Sequence, residues 1–229
     1  AMFNYAVKYY DLRDNPCTKA GSMGKSNAEE MQFWTKAEFE QFITAVQDKP
    51  ASYTAFMTMY YTGMRVGELC ALTPEDVNLE NNTITINKTF QRINGRDVVW
   101  PPKTQKSNRV ITIPQTLADC LKNYMDKCYE IQPNDRLFPY TKSFLNHEML
   151  RGCKKSGVKK IRVHDLRHSH ASLLIEMGCQ PLLIADRLGH EKIQTTLNTY
   201  SHLYPNKQAE VAQQLENINN GTTVPDSSQ

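Results

Sequence analysis

The chain has no Cys-x-x-Cys pair; its six cysteines (Cys17, Cys70, Cys120, Cys128, Cys153 and Cys179) are scattered singly. Zinc-binding spacing is therefore missing. A chain of 229 residues needs no disulfide staples, and nothing resembles a secretory leader, so reduced thiols are expected. No apolar run approaches the roughly 18–20 residues that cross a bilayer, so no membrane partner is expected. A Gly-x-x-x-x-Gly-Lys-[Ser/Thr] phosphate loop is absent, as is His-Glu-x-x-His. Nucleotide-driven chemistry and the common zinc-hydrolase arrangement thus have no visible machinery. Neither sign of charge dominates: 27 Lys and Arg face 24 Asp and Glu, for a net +3. That balance is compatible with nucleic acid and with many ordinary enzymes.

What is present is a core-sized apolar content of 40%, enough for one full domain with extensions. Phe3, Tyr5, Ala6, Tyr9 and Tyr10 form one face of a helix already under way, with no capping residue before it. Asn15-Pro16 should stop it, and residues 17–34, rich in Gly and Ser, read as a linker. Ala1-Met2 read as a remnant of cloning, with an N-terminal domain removed. The folded body starts at Thr35, where Glu38 completes a capping box and Trp34 can staple onto Phe39. Helical spacing then recurs over residues 35–49, 52–61, 65–72, 117–125, 143–154, 165–177 and 181–188. Gly63, Gly178 and Gly189 serve as stops. Alternation over residues 83–86, 98–100 and 110–113 predicts three strands, with turns at Asn94-Gly95 and residues 103–109. A last helix fits residues 207–218, before a polar tail. The expected fold is mainly α with a small antiparallel three-stranded β-sheet.

One set of residues carries chemistry. Arg65 and Arg167 each lie close to an expected helix N-terminus, and guanidinium groups suit the charge that builds on a pentavalent phosphate. His164 and Arg167, three apart, share a helix face and can address one phosphate. His164 can donate to an oxygen or take a proton from a nucleophile, and His190 offers a second hydrogen bond. Tyr200 is the candidate nucleophile, with Tyr204 a near neighbour. Only roughly one phenol in a thousand is ionised at neutral pH, and nearby cations or His164 ease that barrier. The leaving 5′-oxygen needs an acid; Lys103 and Lys106 both sit in the polar turn, and Lys103 is preferred. Arg151, Lys154, Lys155, Lys159, Lys160 and Arg162 run without an acidic residue into His164 and are read as DNA-facing. His164, His168 and His170 could be taken for metal ligands, but Arg167 among them would repel a cation. No metal or other cofactor is expected, and His168 and His170 are read as supporting or packing residues.

Four blocks carry a family resemblance: Gly63-Met64-Arg65-Val66-Gly67-Glu68, His164 through Ser172, Leu188-Gly189-His190, and Thr195 through Tyr200. In this order they resemble the tyrosine recombinases, and within them the lambda-type integrases of phages and conjugative transposons. The resemblance covers roughly residues 35–204. It implies that Arg65 and Arg167 clamp the scissile phosphate, that His164 and His190 assist proton transfer, and that Tyr200 forms a 3′-phosphotyrosyl bond. Lys103 resembles the hairpin lysine that protonates the 5′-oxygen, and Glu68 an acidic residue that positions the site. The domain reading becomes the end of a core-binding domain over 1–16, a linker over 17–34, a catalytic domain over 35–205, and a C-terminal helix and tail over 206–229 that either docks on a neighbouring protomer or packs on its own domain. The resemblance further implies double-stranded DNA attachment sites, a homo-tetramer working through a Holliday junction, accessory DNA-bending or excision proteins, and the cytoplasm of a bacterial cell. Rival readings are a type IB topoisomerase, a catalytically silent DNA-binding regulator and, as an outsider, a metal-dependent nuclease.

Overall fold

The structure, a computed structural model, describes residues 2–21, 31–102, 104–204, 212 and 216. The chain divides into two compact units, Ala1–Met31 and Gln32–Gln229. In the first, α1 (Met2–Tyr9) buries none of its residues, and its Tyr5 and Tyr9 rings lie 4.5 Å apart. Asn15-Pro16 begins a helix instead of only ending one. The Asn15 side chain accepts from the Cys17 N–H at 2.9 Å, and Pro16 takes the first position of α2 (Pro16–Ala20). Proline is favoured there because its missing N–H would have had no partner.

The second unit opens as its sequence predicts. Thr35 and Glu38 close a capping box on α3 (Lys36–Ala45). Trp34, however, packs on Phe42, with ring centroids 4.6 Å apart. Phe39 stacks on Tyr60 of α4 (Pro50–Thr62), and Phe42 meets Phe56 edge-on, so two helices share one aromatic seam. α4 ends at Gly63, in the left-handed region at φ 64°. A Cβ there would fall 2.6 Å from His170 Cδ2 and 2.7 Å from Leu188 Cδ2. The turn and the close approach both require glycine.

α5 (Val66–Ala71) leads into two small antiparallel sheets. β1 (Val77–Asn78), β2 (Thr83–Ile86) and β5 (Arg109–Thr112) form one, with Ile84 opposite Val77 on one side and Ile111 on the other. β3 (Thr89–Ile93) and β4 (Arg96–Trp100) form a separate hairpin around Asn94-Gly95. The expected three-stranded sheet is therefore present with a different third strand. Residues 98–100 belong to the hairpin, where Val99 and Trp100 are half exposed, and a two-residue strand takes their place. Alternation alone does not say which strand a segment pairs with.

The helical remainder is α6 (Gln115–Met125), α7 (Lys142–Ser156), α8 (Leu166–Glu176), α9 (Pro181–Leu188) and α10 (Ile193–Tyr200). α7 packs on α3, and α8 on α4. A short 3-10 turn, Val163–Asp165, precedes α8. The helix expected over residues 207–218 lies outside the described residues, apart from Ala212 and Glu216. Among the described residues, no helix is long and apolar enough to cross a membrane.

Candidate active site

Five segments converge here. α5 supplies Arg65 at its cap, the turn before α8 supplies His164, and α8 supplies Arg167 and His168. The residue after the glycine stop of α9 is His190, and the last residue of α10 is Tyr200.

Arg65 stands open, its side chain 40% exposed. Its backbone N–H donates to Glu68 Oε2 at 2.8 Å and its Nη1 to Oε1 at 2.9 Å. Glu68 is buried and also accepts from Arg109 on β5, Nη2 to Oε2 at 2.8 Å and Nη1 to Oε1 at 3.2 Å. Burial pushes the Glu68 carboxyl up, but Arg109 and then Arg65 overcome it and hold it below the usual range. Arg109 also donates to the carbonyls of Arg187 and Ser107. It thereby ties the loop before β5 and the end of α9 to the carboxylate that orients Arg65.

Arg167 is buried, 3% exposed. Its Nη1 donates to the Gly63 carbonyl at 2.8 Å and its Nη2 to the Leu188 carbonyl at 2.7 Å. Those carbonyls end α4 and α9, where helices have unpaired acceptors and a partial negative charge. Two helix ends thus hold one guanidinium. Burial, then the charge of Arg65, lowers Arg167 to about 9, which leaves it protonated at neutral pH.

The histidines of the site are all pushed toward the neutral form. Burial, then Arg167 and Arg65, lowers His190 to about 4; its Nδ1 lies 2.7 Å from Thr196 Oγ1. Partial enclosure, then the charge of Arg167, lowers His164 below its ordinary value. Tyr200 is 1% exposed, and burial raises its phenol to about 12 even though Arg167 opposes the shift. The hydroxyl of Tyr200 lies 2.9 Å from Nδ1 of His168. Thr196 and Tyr200, both buried and four residues apart, thus face His190 and His168 from one side of α10. Tyr204 lies near Cys179.

Two open grooves flank Arg65. One of about 460 Å³ is lined by Glu68, Lys88, Thr104, Ser107 and His190. The other, about 570 Å³, is lined by His164, Thr141 and Lys142. Lys103 lies outside the described residues; its neighbours Pro102 and Thr104 line the first groove. Lys106 is exposed in the 3-10 turn Gln105–Ser107. No group of three or more metal-ligating side chains occurs among the described residues. His170, one of the three histidines weighed as ligands, is buried and accepts from Arg187 Nε at 3.1 Å.

Most of the basic run read as DNA-facing is ion-paired in the free chain. Arg151 pairs with Asp48 and Glu148, Lys155 with Asp48, Lys159 with Glu38 and Arg162 with Asp165. The run has no acid within itself, but α7 packs on α3, which brings Asp48 and Glu38 alongside. Lys154 and Lys160 are exposed and have no acidic partner among the described residues. Sequence reasoning missed His168 as the partner of Tyr200, and it missed Arg109. The string Leu166-Arg167-His168 put a titratable ring beside a site residue, but nothing local said which helix that ring would meet. Arg109 is an ordinary strand arginine until the fold places Glu68 opposite it.

The sequence profile of the phage integrase family matches residues 32–207. The chain belongs to that family. It is 32% identical to the ICEBs1 integrase of Bacillus subtilis (strain 168) over 231 residues, covering 95% of this chain and 62% of the relative. It is 31% identical to the integrase of Staphylococcus phage L54a, covering 93% of this chain and 70% of that protein. Against the first of these the chain spans less than two thirds of the relative's length. Among solved structures it is similar to the Tn1549 transposon integrase in complex with circular intermediate DNA, with a TM-score of 0.77 at 21% identity over 94% of this chain and 76% of that one. It is also similar to the catalytic domain of bacteriophage HP1 integrase, with a TM-score of 0.58 at 22% identity over 85% of this chain and all of that one. At these identities the two structures speak for the fold: an integrase catalytic-domain fold, mostly helical with small antiparallel sheets.

Proposed function

We propose that this chain is the catalytic part of a tyrosine site-specific recombinase, cutting and rejoining DNA through a 3′-phosphotyrosyl intermediate. The observation that carries the reading is the meeting of unlike groups. Arg65, His164, Arg167 and His190 act electrostatically on one another, and Tyr200 enters that group beside Arg167. A scissile phosphate seated at Arg65 has a fixed cation beneath it in Arg167 and neutral histidines as donors. Charge that develops on its oxygens then meets preorganised groups. Tyr200 Oη bonds to phosphorus as the P–O5′ bond breaks, and Lys103 is the acid for the leaving oxygen. Because the phosphotyrosine ester conserves the phosphodiester linkage, a 5′-hydroxyl reseals the strand without ATP, and the step asks for no metal.

The wider reading follows from family membership. The substrate is a pair of double-stranded attachment sites of a mobile element, brought together in a tetramer through a Holliday junction, in a bacterial cytoplasm and with accessory DNA-bending or excision proteins. Residues 1–16 would close a core-binding domain, 17–34 would link it to the catalytic domain of 35–205, and 206–229 would dock on a neighbouring protomer.

The test is covalent capture. A pool of nicked duplexes of randomised sequence is incubated in EDTA with the parent chain and with Tyr200→Phe, then resolved on a denaturing gel. A protein–DNA adduct that vanishes in the variant is expected. An adduct that survives it would refute the assignment of the nucleophile.

A further inference from the structure

His168 is one residue beyond Arg167, on the helix that carries the buried cation, and its ring turns toward α10. Nδ1 lies 2.9 Å from Tyr200 Oη, and the two ring centroids are 5.7 Å apart. A neutral imidazole has one donor and one acceptor nitrogen, and the tautomer decides which of them faces the hydroxyl. We propose that Nδ1 of His168 accepts the Tyr200 proton as the tyrosine attacks phosphorus, making His168 a catalytic residue. This rests on the strand-cleavage reading and assigns its proton acceptor.

The surroundings suit that task. Around His168 lie His164, edge-on at 5.7 Å, together with Asp165, Arg167, Arg162, Tyr200 and His190. Burial, then His164, lowers the imidazole below its ordinary range, so at neutral pH its acceptor nitrogen is free of a proton. A raised phenol cannot supply ready phenolate; it has to lose its proton during attack, to a base already in contact. As Oη–P forms and P–O5′ breaks, the proton passes from Oη to Nδ1, and the 5′-oxygen takes another from a separate acid. The buried Asp165 carboxylate faces the new imidazolium. In resealing, His168 returns its proton to Oη. With the opposite polarity, Nδ1–H donating to the phenol, Nδ1 could not take that proton.

Two measurements test this. The first needs no DNA: imidazole ¹⁵N spectra of the full chain at neutral pH, with His168→Gln for assignment. We expect an unprotonated Nδ1 whose resonance moves in Tyr200→Phe; a protonated Nδ1, or one indifferent to that change, overturns the proposal. The second uses a duplex recovered by covalent capture from the randomised pool and resynthesised with a 5′-bridging phosphorothiolate, whose sulfur leaves without an acid. His168→Gln and His168→Ala, each checked for folding by circular dichroism, should slow adduct formation by on the order of 100-fold. They should slow it on the ordinary and the thiolate duplex alike, whereas Lys103→Ala should recover on the thiolate. Cleavage by His168→Gln within about twofold of the parent chain, or rescue by the thiolate, would overturn the base assignment. If no Tyr200-dependent adduct forms from the pool, the recombinase reading falls and the catalytic step falls with it. The ¹⁵N result then still reports whether the pair has the proposed polarity.

Discussion

Arg109 grips Glu68 through two nitrogens, at 2.8 and 3.2 Å, with each side chain only 6% exposed. That carboxylate is also what fixes Arg65, at 2.8 Å through its backbone and 2.9 Å through its guanidinium. The groove-facing cation is therefore set by a strand residue that never reaches the groove centre. The carboxylate between the two cations offsets their mutual repulsion, and burial leaves little solvent to screen its loss.

Removing Arg109 should cost more than the pair contributes. Arg109→Met strands a buried carboxylate beside Arg65 alone, and breaking a buried pair from one side costs about 3–5 kcal/mol. Glu68→Gln combined with Arg109→Met leaves only Arg65 without a partner, where solvent reaches it, and should lose less than the sum of the single changes. Urea denaturation of the four proteins in the cycle checks this; additive losses would mean that the pair is not coupled. Because the folded pKa of Glu68 is depressed, its contribution is present above the ordinary carboxylate range and is lost as pH falls through the folded value.

Arg167→Lys tests the two helix ends. A lysine has no planar fork, so one ammonium cannot satisfy the Gly63 and Leu188 carbonyls in the same geometry. One buried carbonyl is left unpaired, at roughly 1–3 kcal/mol. If the guanidinium also holds developing phosphate charge, the Tyr200 adduct should form about 100- to 1000-fold more slowly. Timed covalent capture measures it, and a rate within about threefold of the parent chain would exclude a role in charge stabilisation.

Much of this was legible in the sequence because the deciding signals are local. Thr35 with Glu38, Gly63 and Gly189 set helix ends through their own backbone needs, and the structure has all three where local chemistry puts them. Arg65, His164, Arg167, His190 and Tyr200 stood out as residue types in an order, and the fold brings them together. What could not be read is pairing across long separations. His168 meets a tyrosine 32 positions away, Arg109 a glutamate 41 away, and Arg151 an aspartate 103 away. Strand 98–100 went to a hairpin for the same reason. The helix over Ile193–Tyr200 escaped notice because Thr195, Thr196 and Thr199 dilute its apolar spacing, while burial of Thr196 and Tyr200 sustains it.

Acid should unfold the chain from the histidine side. Burial, then Arg187, lowers His170 to about 3, against an ordinary value of 6.5. A group depressed in the folded state contributes fully above the unfolded value, and its contribution falls as pH drops from about 6.5 toward the folded value. His190, lowered to about 4, acts in the same window. The thermal midpoint should therefore fall steadily below about pH 6.5. His170→Gln keeps an acceptor for Arg187 and cannot titrate, so its midpoint should fall less steeply over that window. Equal slopes would mean that His170 is protonated or solvated in the folded protein.

The ion pairs on α7 divide the basic run into two roles, and DNA binding should divide the same way. Arg151 holds both Asp48 and Glu148, so Arg151→Ala leaves Glu148, a buried acid, with Lys49 and Ser52. The loss should appear in stability, with little change in how binding responds to salt. Lys154 and Lys160 are exposed without an acidic partner among the described residues, so a phosphate can approach them without first displacing a carboxylate. Each phosphate contact removed should flatten the plot of log affinity against log salt by about 0.9. The double variant Lys154→Ala, Lys160→Ala should therefore lower the slope on an arbitrary duplex by between about one and two, while its thermal midpoint stays near that of the parent chain. Fluorescence anisotropy across a salt series measures the slope. If Arg151→Ala flattens it as much as the double variant does, the carboxylates surrender Arg151 to DNA and the division drawn from the free chain is wrong.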